Sequence, residues 1–459
     1  MVILARILVP EDFGLVGMVT AFTGFLGLFK DAGLSMVTVQ RSSINDEQTS
    51  TLFWLNMGVG LLLCAASFAI APVLVSFYHE PRLRSVTQIL GIGFLFSAAS
   101  AQHQALLQRQ MRFSSLGMID IVSQVSGIAV GITMALAGFG YWALVWMTLI
   151  VSFANMLCVW HTTSWIPMIP RRDVGIRSMF HFGGTVTVNA VIMYFAYNAE
   201  KVLLGRFWGA EALGIYGRAF NLINLPTGQL NAAIGGVAFP ALSRLQEDPD
   251  RFRNYFLKGY SLFLALTIPI TLGCALFADD IVFVLLGPKW ENAALIFRLL
   301  APTVLAFAFI NPFGWLLWSR GQVGRSLKMA LVMAPLIIAA YVAGLGHGPV
   351  GVAVGYSTMM TLLIFPMIAW AKHGTSISSL DIFRAVGRPL ISGIVGGAIA
   401  FGVQFYFGRF LSPVMRLVVG GAVLLVSYLG MLLYAMGQKK IYLDLLQELK
   451  IRPGTLKKA

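Results

Sequence analysis

Residues Thr51–Phe77 read TLFWLNMGVGLLLCAASFAIAPVLVSF, 27 positions without one charge. A bilayer's hydrocarbon core is about 30 Å thick and takes roughly 20 apolar residues as helix. This stretch is long enough to cross. Runs like it recur along the chain: Val86–Gln108, Tyr141–Trp160, Ala219–Leu242, Gly259–Ala278, Met329–Gly346, Pro349–Ala371, Pro389–Gly408 and Leu417–Gly437 carry no charge either. Phe13–Val39, Phe113–Gly138, Ser178–Leu204 and Ala293–Trp318 carry one to a few, which makes thirteen spanning candidates. Alternating strand patterns with tight turns are absent, so the sequence predicts an all-α, polytopic transmembrane helical bundle and not a barrel.

Composition agrees. Of 459 residues, 58% are hydrophobic and 11% charged, against roughly 25% charged in a soluble domain. That excludes an ordinary soluble enzyme and a disordered chain. Cys64, Cys158 and Cys274 lie in or at the end of apolar runs, with no metal-ligand spacing, and read as small core residues. No Ser/His/Asp set, nucleotide loop or metal cluster stands out, so no cofactor or metal is expected.

The net charge of +14 first suggests nucleic acid. Its distribution says otherwise. With Pro10–Asp12 placed outside and loops alternating, interior loops and the tail hold 22 of the 33 basic residues, and exterior loops hold 5 beside seven acids. The positive-inside rule fixes that orientation, with the C-terminus cytoplasmic, and no nucleic-acid partner is needed. The last stretch, 438–459, carries Ile441, Leu445, Leu446 and Leu449 at helical spacing between basic flanks. It reads as an amphipathic tail on the inner membrane surface.

An internal repeat sets the organisation. Leu4–Gly17 aligns without gaps on Leu204–Gly217 at an offset of 200, with identities at Leu4, Arg6, Glu11, Gly14 and Gly17. Both copies sit where an outgoing helix turns outside and returns. Six helices separate them, so the repeats run parallel, as in transporters built of two lobes. The expected domains are an N-terminal lobe at 1–160, a cytoplasmic linker at 161–177, a C-terminal lobe at 178–371, two further helices at 372–437, and the tail. Met1–Val9 spans only about 14 Å as helix. The second copy's helix begins near Ser178, so the alignment predicts roughly 20 further residues upstream of Met1, completing a half-helix.

Leu4-Ala5-Arg6-Ile7-Leu8-Val9-Pro10-Glu11-Asp12-Phe13-Gly14-Leu15 resembles the opening motif of polysaccharide transporters of the lipopolysaccharide O-unit flippase type. These belong to the multidrug/oligosaccharidyl-lipid/polysaccharide exporter superfamily. Leu203-Leu204-Gly205-Arg206 and Gly209-Ala210-Glu211-Ala212-Leu213-Gly214-Ile215-Tyr216 resemble the family's looser mid-chain motif. The resemblance implies fourteen helices in the bacterial inner membrane and a polyprenyl-diphosphate-linked glycan as substrate. It also implies outward movement by alternating access, and polysaccharide polymerase or export machinery as protein partners. A cation-coupled multidrug exporter of the same superfamily is the rival; it favours acids in the cavity. A membrane polymerase or ligase would want a large exterior loop, and the longest is about Asp279–Asn292.

Charges at membrane depth are the site candidates, because they are costly there and usually face a cavity or a partner. They are Arg6, Lys30, Lys201, Arg206, Arg218 and Arg298 against Asp31, Asp120 and Glu200, a net of +3. A cationic interior suits a diphosphate. Arg218 and Arg298 are the strongest cavity candidates. Arg6 and Arg206 lie near the exterior surface, within reach of it. Lys30 with Asp31, and Glu200 with Lys201 among Asn189 and Asn198, serve either a cavity or helix contacts. Asp120 is the candidate for proton or cation coupling.

Overall fold

The computed structural model describes residues 2–30, 35, 38, 39, 44–169 and 184–439, with side chains at all of these except 184–190, 323 and 409. Asp31, the side chain of Asn189, residues 170–177 of the linker and residues 440–459 of the tail lie outside the described residues. Among the described residues the regular structure is helical throughout. Nine segments among the described residues are long and apolar enough to cross a membrane, and one of them, Gly324–Lys372, holds two successive helices. The protein is therefore a multi-pass membrane protein.

Local chemistry sets the helix ends. Asp46–Tyr78 contains the opening apolar run and extends it at both ends. Asn45 Oδ1 accepts from the Gln48 amide at 2.8 Å, and the Gln48 side chain accepts from the Asn45 amide at 3.2 Å, a reciprocal cap that starts the helix ahead of its apolar residues. Its 33 residues span about 50 Å, and it stops at His79 in the left-handed region (φ 60°). Inside this helix Asn56, Gly60, Cys64, Ser67 and Ala71 point inward, while Leu61, Leu62, Phe68 and Val73 are exposed. Small and polar residues within and leucines outside is the membrane arrangement, since lipid is as apolar as leucine and helices associate by close packing.

The chain packs as two compact units. One is Met1–Gly217 with Leu345–Pro349; the other is Arg218–Gly344 with Val350–Ala459. The boundary falls inside the helix Gly184–Arg244, which breaks at Gly209 (φ 81°, ψ −175°). The limb before the break belongs to the first unit, where Tyr194 donates its hydroxyl to the Ala21 carbonyl at 2.9 Å, tying it to Pro10–Gly27.

The first unit is a bundle of Pro10–Gly27, Asp46–Tyr78, Leu83–Arg109, Phe113–Leu136, Trp142–Thr163 and that limb. In the second unit Pro249–Leu276, Ser379–Phe407 and Pro413–Gly430 pack together around Phe277, Ala400 and Leu424. Between the first turns of two of these helices Arg253 grips Asp381 with two bonds, Nε–Oδ2 at 3.0 Å and Nη2–Oδ1 at 2.5 Å. Asp381 also caps its own helix by accepting from the Ser378 amide at 2.9 Å. Asp381→Ala removes both roles and is expected to lower the melting temperature in detergent by several degrees. Arg253→Ala removes one role and is expected to lower it less.

Candidate functional site

A cavity of about 550 Å³ lies within the first unit. Its main wall is one stripe of Leu83–Arg109, carrying Ser97, Ser100, Ala101, Gln104, Ala105 and Gln108. These positions repeat every three or four residues, so a single helix face presents them all. Trp142–Thr163 adds Val151, Ser152 and Asn155, and the chain after Pro10–Gly27 adds Lys30, Ser35 and Val39. Pro10–Gly27 stops before Lys30, whose amide still bonds back to the Gly27 carbonyl at 3.3 Å.

Amides organise the wall. Gln104 donates to Asn155 Oδ1 at 2.7 Å, and Asn155 donates to Asp120 Oδ1 at 3.5 Å. Asp120 itself is exposed and reaches the cavity only through Asn155. Among the described residues no carboxylate pairs with Lys30. The cavity thus offers one ammonium, several hydroxyls and several amides within a largely apolar bundle. Hydroxyls and amides can exchange hydrogen bonds with a polyol, and the ammonium can hold a phosphate oxygen.

The two copies of the repeat meet at their turns. A Cβ on Gly14 would overlap the carbonyl oxygen of Ala210, and a Cβ on Gly214 would overlap that of Pro10. Under the offset of 200 these are one contact made twice: position 14 of each copy faces position 10 of the other. Beside them Arg82 bridges Glu11 at 2.6 Å and Glu80 at 2.7 Å. The hydrogen bonds from Arg82 hold the Glu80 carboxyl below its ordinary value. Arg206 lies with its guanidinium 5.8 Å from the centre of the Phe77 ring, a cation–π contact. Arg6 is exposed.

The remaining candidates separate. Lys201 donates to Asn198 at 2.8 Å, whereas Glu200 is 1% exposed. Arg218 is half-buried at the start of the second unit. Arg298 lines a second cavity of about 440 Å³ in that unit, with Ala275, Leu276, Phe401, Gln404 and Phe405. It is not a bare cation there: Nη2 meets Asp279 Oδ2 at 2.5 Å and Nε donates to the Ala275 carbonyl at 3.2 Å. Of the described candidates, only Lys30 and, at one remove, Asp120 gather at the first cavity. Its other polar groups are uncharged, so a search for charges at membrane depth passes over them. The spacing of Ser97, Ser100, Gln104 and Gln108 was the signal available.

A family model described as Polysaccharide biosynthesis protein matches residues 3–295. The chain belongs to this family. Among relatives, it is 27% identical over 425 residues to the Teichuronic acid biosynthesis protein TuaB of Bacillus subtilis strain 168, covering 91% of this chain and 87% of that one. It is 28% identical over 365 residues to the Lipopolysaccharide biosynthesis protein WzxC of Escherichia coli strain K12, covering 78% and 73%. The solved structure of the lipid II flippase MurJ in an inward closed conformation matches with a TM-score of 0.76 at 14% identity, covering 97% of each chain. At that identity the match shows a shared fold, that of a membrane transporter bundle.

Proposed function

We propose that this member of the polysaccharide biosynthesis family is a transporter, not an enzyme, that moves a polyprenyl-diphosphate-linked oligosaccharide outward across the bacterial inner membrane by alternating access. The observation that carries the reading is the polar cavity within the first unit. It has Lys30 for the diphosphate and Ser97, Ser100, Gln104, Gln108, Ser152 and Asn155 for sugar hydroxyls, in a protein whose outer faces suit lipid. The prenyl tail stays in the bilayer while the polar head crosses. The names of the relatives, one in teichuronic acid and one in lipopolysaccharide biosynthesis, support a glycan as cargo, and the MurJ-like fold supports a lipid-linked one. The basic excess of the cavity and of the whole membrane interior argues against an exporter of organic cations.

The lobes at 1–160 and 178–371, each closed by the repeated exterior turn, belong to the same proposal, as do Arg218 and Arg298 as further contacts to the glycan head. Expression in a strain deleted for its own polysaccharide flippase tests it. Surface polysaccharide is expected to return and lipid-linked intermediates to fall; intermediates that stay at the deletion level contradict the reading. The cytoplasmic C-terminus has its own check. A fluorescent protein fused after Ala459 is expected to glow, and alkaline phosphatase fused there to stay inactive.

A further inference from the structure

Asp46–Tyr78 and Leu83–Arg109 pack side by side in the first unit, running in opposite directions. A Cβ on Gly91 would meet Ser67, and a Cβ on Gly60 would meet Ala98. Gly60 and Ser67 are seven positions apart, and so are Gly91 and Ala98. These pairs are therefore two layers of one seam. Four positions further along each helix, one turn from Gly60 and from Ala98, the next layer pairs Asn56 with Gln102. The first two layers are small residues that let the backbones approach. The third is two amides, each 0% exposed.

Gln102 Oε1 accepts from the Thr38 hydroxyl at 2.7 Å. Gln102 Nε2 has no hydrogen-bond partner among the described residues, and neither has Nδ2 or Oδ1 of Asn56. The amides thus face each other across the seam without bonding. Turning Asn56 over changes nothing, because both of its ends are unpartnered. Leaving such groups dry inside a membrane bundle is costly. His103, next to Gln102, turns elsewhere. Its Nδ1 lies 2.7 Å from Thr163 Oγ1, and its ring lies 4.6 Å from that of Trp160.

The chemistry of the layer selects its occupant. Two N–H donors on each amide stand against one free carbonyl oxygen. Donors in that excess repel a metal ion. An anion would need a cation to offset its burial, and neither helix carries Lys or Arg within a turn of these amides. Arg109, two turns beyond Gln102, gives its Nη1 to the Thr38 carbonyl at 2.8 Å. A water molecule accepts two hydrogen bonds, donates two and carries no charge.

We propose that Asn56 and Gln102 hold a buried water molecule between Asp46–Tyr78 and Leu83–Arg109. It accepts an N–H bond from each amide, and its own hydrogens go to carbonyl oxygens of the seam. The water braces the cavity wall from behind. It ties Asp46–Tyr78 to Gln102, Gln102 holds Thr38, and Thr38 is next to Val39, which lines the cavity with Ser35. Ser35 also donates to the Ala101 carbonyl at 3.4 Å. The site stands independently of the cargo.

Electron cryomicroscopy of the full chain in lipid nanodiscs, at a resolution that shows ordered water, tests it directly. Wild type is expected to show a peak about 2.7–3.2 Å from both amides. Amides that bond each other directly, or with no peak between them, overturn the proposal. Asn56→Leu, of the same branched shape, is expected to lack the peak, and a peak that persists there overturns it too. Thermal unfolding in detergent gives a second reading. Asn56→Leu leaves the Gln102 amide dry, and Gln102→Leu leaves that of Asn56, so each is expected to lower the melting temperature by several degrees. The lost bridge is common to both, so the loss in the double variant is expected to fall short of the sum of the two. Losses that add in full overturn the bridge. If Asn56→Leu yields no folded protein, the wild-type map decides alone.

Discussion

Gly14→Ala and Gly214→Ala are each expected to destabilise the protein by about 1–3 kcal/mol and to lower surface polysaccharide in complementation. The added methyl at either position falls on a backbone carbonyl oxygen, that of Ala210 or of Pro10. A flexible side chain can swing away from such an overlap, but a backbone carbonyl in a packed helix cannot. The two contacts are the same contact made in both directions, so the two variants are expected to match closely. They share one interface, so the double variant is expected to fall short of the sum. Gly117→Ala is the control. Gly117 lies within Phe113–Leu136 with no atom near its virtual Cβ, and alanine there is expected to raise helix stability by up to about 1 kcal/mol. Thermal unfolding in detergent, read by near-ultraviolet circular dichroism, measures all four. Equal melting temperatures for Gly14→Ala and wild type would contradict the reciprocal packing.

Lys30→Glu is expected to abolish transport while leaving the melting temperature within a degree or two of wild type. Lys30 is exposed to its cavity and, among the described residues, pairs with no carboxylate, so its removal breaks no ion pair described there. A charge-assisted hydrogen bond to phosphate contributes about 1.5–3 kcal/mol. Lys30→Ala is thus expected to slow uptake of a diphosphate-bearing lipid by about 10- to 100-fold, and Glu adds repulsion to that loss. Lys30→Arg is expected to keep most activity, because charge and reach survive. Uptake by purified protein in liposomes checks the series. Full activity in Lys30→Glu would remove the residue from the site.

Much of the fold is legible in the residues because membrane thickness imposes a length and an absence of charge that few other structures share. Each of the thirteen apolar runs falls on helix over most of its described residues. The ends are less legible. Thr51–Phe77 sits inside a helix five residues longer at its start, because polar Asn45 and Gln48 cap it from outside the apolar window. Phe13–Val39 reads as one run, yet its described helix ends at Gly27, where glycine and the charge of Lys30 weaken the case for continuing. The turn of the second repeat reads as a loop and is instead a single-residue break at Gly209.

The site is legible only in part. Charges at membrane depth announce themselves by their cost, which is why Lys30 and Glu200 stand out from their apolar surroundings in the chain. Their partners do not. Asp279 pairs with Arg298 19 positions away, and no local spacing encodes that. Gln104 and Asn155 look like ordinary polar residues of membrane helices until packing points them into one cavity. The repeat shows that glycine recurs at 14 and 214. Only packing shows that each glycine makes room for the other copy's carbonyl.

The most direct measurement is translocation itself. The purified full chain is placed in liposomes, with a polyprenyl-diphosphate-linked oligosaccharide in the inner leaflet and a sugar-oxidising enzyme outside. The account predicts that the enclosed half of the lipid becomes accessible at a rate that rises with the number of transporters per vesicle and collapses in Lys30→Glu. Protection that lasts as long as in protein-free vesicles would contradict it.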